Sequence, residues 1–230
     1  MTEPGRSLPS VVRTLEKHYG APDPPSVRDP LEMVLLERVA YLVSDERRAE
    51  AFAALKKRVG TSADRILAAP RKVLVEVARL GGMHPERRAE DLREIARIVK
   101  DRFGGDLPSA LRLPLPDAKR ALRLFPGIGE PGAEKILLFS GAYALLPLES
   151  NGLRTLLRLG FGVEQKAYAA SYRSAQAAVA EGLPRDTAWL VRAHQLLRRH
   201  GQTICKASVP LCARCPLRGD CAYFAAPARA

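Results

Sequence analysis

An all-α fold is what this sequence predicts, and three observations predict it. Apolar residues recur at three- and four-residue spacing along most of the chain, no stretch alternates like a half-buried strand, and helix start and stop signals bracket the periodic segments. With 47% hydrophobic and 27% charged residues among 230, the chain has the balance of a globular protein with a sizeable core, and neither a disordered tail nor a fibrous repeat fits it.

The elements follow in order. A first helix over 8–19 stops at Gly20, and the stiff joint APDPPSVRDP (21–30), with four prolines, separates it from the next. Asp29-Pro30 opens a helix over 31–43, and Ser44 or Asp45 caps a third over 46–58. Segments 62–68, 71–80 and 86–103 are helical and are separated by Pro70 and by Gly81-Gly82. A second joint, LPSALRLPLPD (107–117), holds three prolines and precedes two short helices over 117–125 and 131–140. Segments 151–160, 165–181 and 186–200 complete the set. The most apolar stretch, Ile136 to Leu148, is broken by Ser140, Gly141 and Pro147, whereas a bilayer span takes roughly 20 nearly uncharged residues. MTEPGRSLPS at the start lacks the apolar core of a secretory signal, so a cytoplasmic protein with no membrane partner is expected.

Thirty-seven Lys and Arg stand against 25 Asp and Glu, a formal charge of +12 with a pI near 10.0. Such an excess favours a polyanion, most simply nucleic acid, since each phosphate neutralised releases a counterion. Between Arg185 and Cys221 seven basic residues face two acidic ones, so the excess concentrates near the C-terminus.

All four cysteines lie in the last 26 residues, as Cys205, Cys212, Cys215 and Cys221, spaced C-x6-C-x2-C-x5-C. A reducing compartment argues against disulfides. Four thiolates can hold tetrahedral zinc or an iron–sulfur cluster, and the single short pair with wider arms suits the bulkier group better than two zinc knuckles would.

Residues Ala118 to Phe139 read as two helices joined by Pro126-Gly127-Ile128-Gly129, where Gly127 and Gly129 allow positive φ and leave amides to cradle a phosphate. Together with PLESNGLRTLLRLGF (147–161) and the 6-2-5 cysteine spacing, this hairpin resembles the endonuclease III-like branch of the helix-hairpin-helix DNA glycosylase superfamily. The resemblance spans about residues 30 to 221. It implies a six-helix barrel over 30–143 carrying the hairpin, and a cluster domain from 1–29 with 144–230 holding a 4Fe-4S cluster on the four cysteines. It further implies double-stranded DNA as partner, with the target nucleotide flipped out, and a nucleoid-associated monomer. Gly127, Gly129, Tyr41, Leu42, Lys135, Arg154, Lys206, Arg214 and Arg218 are the expected DNA contacts. Relatives place glutamines where Tyr41 and Leu42 stand; Gly82-Met83-His84 matches a second wedge loop loosely, with His84 expected at the surface.

Bifunctional members carry a lysine at the start of the second hairpin helix, where this chain has Pro131, which offers no amine for a Schiff base. Lys135 lies a turn deeper. Hydrolysis by water remains, and it needs a carboxylate beside the sugar and an acid for the departing base. Glu149 matches the first position, where the family has Asp. Glu37, in an otherwise mostly apolar helix that aligns with the catalytic helix of adenine mismatch glycosylases, is the candidate acid. The expected activity is that of a monofunctional DNA N-glycosylase of base-excision repair, acting on mismatched or deaminated pyrimidines, since only nine residues follow Cys221 and the oxidised-guanine recognition domain has no place. The alternatives are a lesion-binding protein that has lost catalysis and a bifunctional lyase using Lys135.

Overall fold

The computed structural model describes residues 7–226. Thirteen α-helices run through them: α1 (Leu8–Tyr19), α2 (Pro30–Val39), α3 (Asp45–Arg58), α4 (Ala63–Ala68), α5 (Arg71–Leu80), α6 (Pro85–Phe103), α7 (Leu107–Ala110), α8 (Leu115–Leu122), α9 (Glu130–Phe139), α10 (Ser150–Leu159), α11 (Tyr168–Val179), α12 (Thr187–Thr203) and α13 (Ala222–Ala225). No strand occurs among the described residues, and the protein is all-α. Side-chain caps set most starts: Ser7, Asp29, Ser44, Ser62, Asp106, Glu149 and Asp186 each accept a backbone N–H from the first turn. No described helix is long and apolar enough to cross a membrane.

Two compact units divide the chain, one running from Pro25 to Tyr143 and the other combining the chain up to Pro24 with the chain from Ala144 onward. In the first, α2, α4 and α5 pack on α6, whose Leu92, Ile95, Ala96 and Val99 are buried. Fully burying a side chain such as Leu or Ile contributes roughly 1.5–3 kcal/mol. In the second, α10 and α1 pack on α12. Tyr19, at the end of α1, places its hydroxyl 3.0 Å from both His200 Nδ1 and Thr203 Oγ1. Where α10 meets α12, a Cβ on Gly201 would stand 2.4 Å from the Asn151 carbonyl oxygen. Gly201→Ala is therefore expected to destabilise the protein by about 1–3 kcal/mol through backbone overpacking, read as a lowered melting temperature.

Three elements differ from sequence expectation. The helix expected over 31–43 ends at Val39: Ala40 turns extended, Tyr41 N–H donates to the Gly81 carbonyl at 2.9 Å, and buried Arg88 takes the Val39 carbonyl. The segment 165–181 becomes helical only at Tyr168, because Ser171 Oγ receives the Gln165 N–H at 2.8 Å and holds the preceding residues in a turn. Inside the proline-rich joint 107–117, Asp106 caps a short helix, α7, by accepting the Ser109 N–H at 3.1 Å.

Candidate functional site

The hairpin is formed by α8 and α9. Only Gly127 of its two turn glycines has positive φ (+80°), and a Cβ there would meet the Arg38 side chain at an ordinary contact distance of 3.4 Å, so it is the backbone conformation that asks for glycine. Gly129 is the extended N-cap of α9, so the positive φ expected of it is not adopted. Pro131 falls in the first turn of α9, where a missing N–H costs nothing. Lys119 Nζ, 2.6 Å from both Glu130 and Glu134, clamps the two helices together; nothing in the local periodicity marks it.

Glu37 projects from α2 and Lys135 from α9, and they meet: Lys135 Nζ donates to Glu37 Oε1 at 2.6 Å, with Arg48 Nη1 at 3.6 Å. Lys135, an expected DNA contact, has its ammonium engaged with this carboxylate, itself 25% exposed. The two groups are 98 residues apart in sequence.

Tyr41 and Leu42 sit past the end of α2, on a loop paired with the loop before α6 through the Tyr41–Gly82 bridge. Tyr41 is 48% exposed, Leu42 75% and Met83 56%. Leu42 (φ +53°) and His84 (φ +56°) both hold left-handed backbone without being glycine, a strain of about 1–3 kcal/mol each that persists only where the surroundings impose it. His84 lies at the surface, as expected.

Glu149 caps α10. Its Oε1 accepts the Gly152 N–H at 2.6 Å and its Oε2 accepts Asn151 Nδ2–H at 2.8 Å. Each ionised oxygen retains a further lone pair. Arg154 Nη2 donates to Asn151 Oδ1 at 2.7 Å, and the same guanidinium donates to the Cys205 and Gly201 carbonyls. Arg154, an expected DNA contact, thus has donors serving α10, α12 and the cysteine segment, over a sequence distance that periodicity does not convey. Tyr168 and Tyr172 of α11 stack with ring centroids 6.2 Å apart, and Tyr168 donates to the Leu148 carbonyl at 3.3 Å. Burial, then the charge of Glu149, pushes the Tyr168 hydroxyl above its ordinary pKa.

The four cysteines are half-buried and free of disulfides. Burial pushes the Cys215 thiol up; a backbone hydrogen bond at Leu217 opposes this, and the charges of Cys221, Cys205 and Cys212 add to it. Cys215 Sγ lies 3.5 Å from His200 Nε2, and burial lowers the His200 pKa to about 4. Arg158, unremarked in the sequence, donates to Cys205 Sγ at 3.5 Å and to the Lys206 and Ala207 carbonyls. Lys206, Arg214 and Arg218 are exposed. No group of three His, Cys, Asp or Glu among the described residues is gathered about a single ion. Burial and neighbouring thiols that oppose ionisation at Cys215, with the Arg158 guanidinium beside Cys205, are the chemistry of a thiolate donor set that a cationic iron–sulfur group would suit.

No family model matches the chain. An endonuclease III of Sulfolobus acidocaldarius is 24% identical over 184 residues, covering 79% of this chain and 76% of that protein. A thymine-DNA glycosylase of Aeropyrum pernix is 28% identical over 138 residues, 60% of this chain and 58% of its own. Among solved structures, a trapped endonuclease III–DNA covalent intermediate aligns with a TM-score of 0.74 at 18% identity, over 95% of this chain and 97% of that one.

Proposed function

The chain belongs to the helix-hairpin-helix DNA glycosylase superfamily, and from that membership we propose that it is a monofunctional DNA N-glycosylase of base-excision repair. The observation that carries the monofunctional assignment is Pro131 in the first turn of α9, where bifunctional relatives have the lysine that attacks the sugar. The nearest amine on that helix, Lys135, is engaged with Glu37.

In the proposed reaction water adds to the anomeric carbon, the carbon–nitrogen bond breaks, and its electron pair leaves with the base, which takes up a proton. Glu149 stabilises the positive charge that builds on the sugar and orients the water; its use of one lone pair per oxygen in capping leaves others for this task. Asn151 and Arg154 hold the carboxylate in place. Glu37, whose carboxylate accepts from the Lys135 ammonium, relays a proton from it to the departing base, and Glu149 takes the proton that the attacking water releases. Gly127 and Gly129 line a phosphate cradle, with Lys206, Arg214 and Arg218 as further phosphate contacts. Exposed Tyr41, Leu42 and Met83 fill the stack that the extruded nucleotide vacates. Mismatched or deaminated pyrimidines are the proposed substrates.

Cys205, Cys212, Cys215 and Cys221 would hold a 4Fe-4S cluster, which when bound cross-links the segment that carries them. Visible absorbance with matching iron and sulfide content is expected; a zinc protein would be colourless. For the activity, duplexes carrying a panel of lesions and mismatches are incubated with the protein and analysed with and without alkali. Strand breaks only after alkali are expected. Breaks without alkali would identify a lyase using Lys135, and gel retardation without breaks would identify a binding protein.

A further inference from the structure

Arg88, within helix α6, is one of the largest fully buried side chains, 1% exposed. All three of its guanidinium nitrogens donate to backbone carbonyls: Nε to Met83 at 2.7 Å, Nη2 to Gly82 at 2.6 Å, and Nη1 to Val39. Val39 ends α2, whereas Gly82 and Met83 belong to the loop before α6. One planar cation thus binds the base of both loops. Their approach is so close that a Cβ on Gly81 would stand 2.1 Å from the Val39 carbonyl oxygen.

Two exposed tips stand on this base, bearing Tyr41 and Leu42 on one loop and Met83 on the other, and each tip contains a non-glycine residue at positive φ. Exposed apolar side chains on a strained backbone require an external brace, because neither burial nor local preference would keep them there. Arg38, one residue before Val39, is in turn held by Asp91, which also accepts from Arg87 at 3.1 Å, so α6 grips this corner at adjacent positions.

We infer that Arg88 is a positioning residue: by clamping the Val39, Gly82 and Met83 carbonyls it fixes Tyr41, Leu42 and Met83 as one rigid wedge for insertion into a base stack. This rests on the DNA-processing role proposed above, but it concerns the opening of the stack and is independent of bond hydrolysis. A guanidinium suits the task because its planar donors point in fixed directions, which an ammonium cannot reproduce.

The test uses duplex DNA with a fluorescent purine analogue stacked beside an abasic-site analogue, so that the readout needs no excision. Wild-type protein is expected to bind and to raise the fluorescence as the purine unstacks. Arg88→Met keeps the aliphatic stem and removes the donors; at saturating protein it is expected to lose most of the rise. With an excisable lesion, kcat/KM should fall roughly tenfold on paired duplex and remain within about threefold on the same lesion in single-stranded DNA, where no stack needs opening. Arg88→Lys, which retains the charge and part of the donor set, should give an intermediate rise, and it carries the test if Arg88→Met fails to fold. An undiminished rise in both variants, or equal losses on duplex and single strand, would overturn the positioning role. Failure of the wild type to bind DNA at all would overturn the parent proposal, and this one with it.

Discussion

Replacing Glu149 by Gln is expected to lower single-turnover excision by at least about 10²-fold while lowering the melting temperature by about 2–8 °C. Two roles meet in this side chain, and the substitution separates them. As a cap, Glu149 needs an acceptor for the Gly152 N–H, and the amide oxygen of Gln provides one at the same length. The bond from Asn151 Nδ2 is lost, because an NH₂ group now faces it, and Asn151 cannot simply turn round while its Oδ1 serves Arg154. That loss, with the removal of a negative charge from a helix start, amounts to roughly 1–2 kcal/mol of stability. The kinetic effect has a different scale. Removing a preorganised group that faces developing charge typically costs 10²–10³ in rate, about 2.7–4 kcal/mol. Glu149→Asp provides the control: it retains the charge and can still cap, but withdraws the carboxylate by one methylene, so it should fall between wild type and Gln. If Gln excised the base at the wild-type rate, the carboxylate would be a cap and nothing more.

Removing one cysteine is expected to have the second large effect. Cys212→Ser should yield protein without the stoichiometric iron and sulfide, without visible absorbance, and newly susceptible to proteolysis between Cys205 and Cys221. The reason lies in how little else holds that segment. Leu217 is its buried apolar residue, its regular structure is confined to two short 3₁₀ turns at Cys212–Arg214 and Arg218–Asp220, and Val209 is 70% exposed. A segment with so small a core would obtain its ordering energy from the proposed cluster. Arg154 and Arg158 tie the segment's carbonyls to α10, so its loss should spread to the helix that Glu149 caps. A loss of about 3 kcal/mol would lower the melting temperature on the order of 10 °C for a chain of this size. A protease-resistant Cys212→Ser protein with unchanged melting would show that the cysteines are not the staple of this unit.

The sequence by itself determined the all-α class and most helix limits, because those depend on residues three or four positions apart. The 8–19 and 71–80 segments appear as α1 and α5 with the same ends, and Ser44 caps α3 through a contact three residues away. The hairpin and the order of the motifs were legible for the same reason. What tertiary structure alone decided are the contacts that join distant segments. Arg88, 49 residues downstream, helps to end α2 at Val39 and turns Tyr41 and Leu42 out on a loop; Lys135 and Glu37 pair across 98 residues; half-buried Arg154 holds the Cys205 carbonyl 51 residues on. Periodicity carries which face of a helix is buried, but a charged side chain bonds to whatever donor or acceptor the packed helices bring within about 3 Å, and only the assembled fold specifies that neighbour.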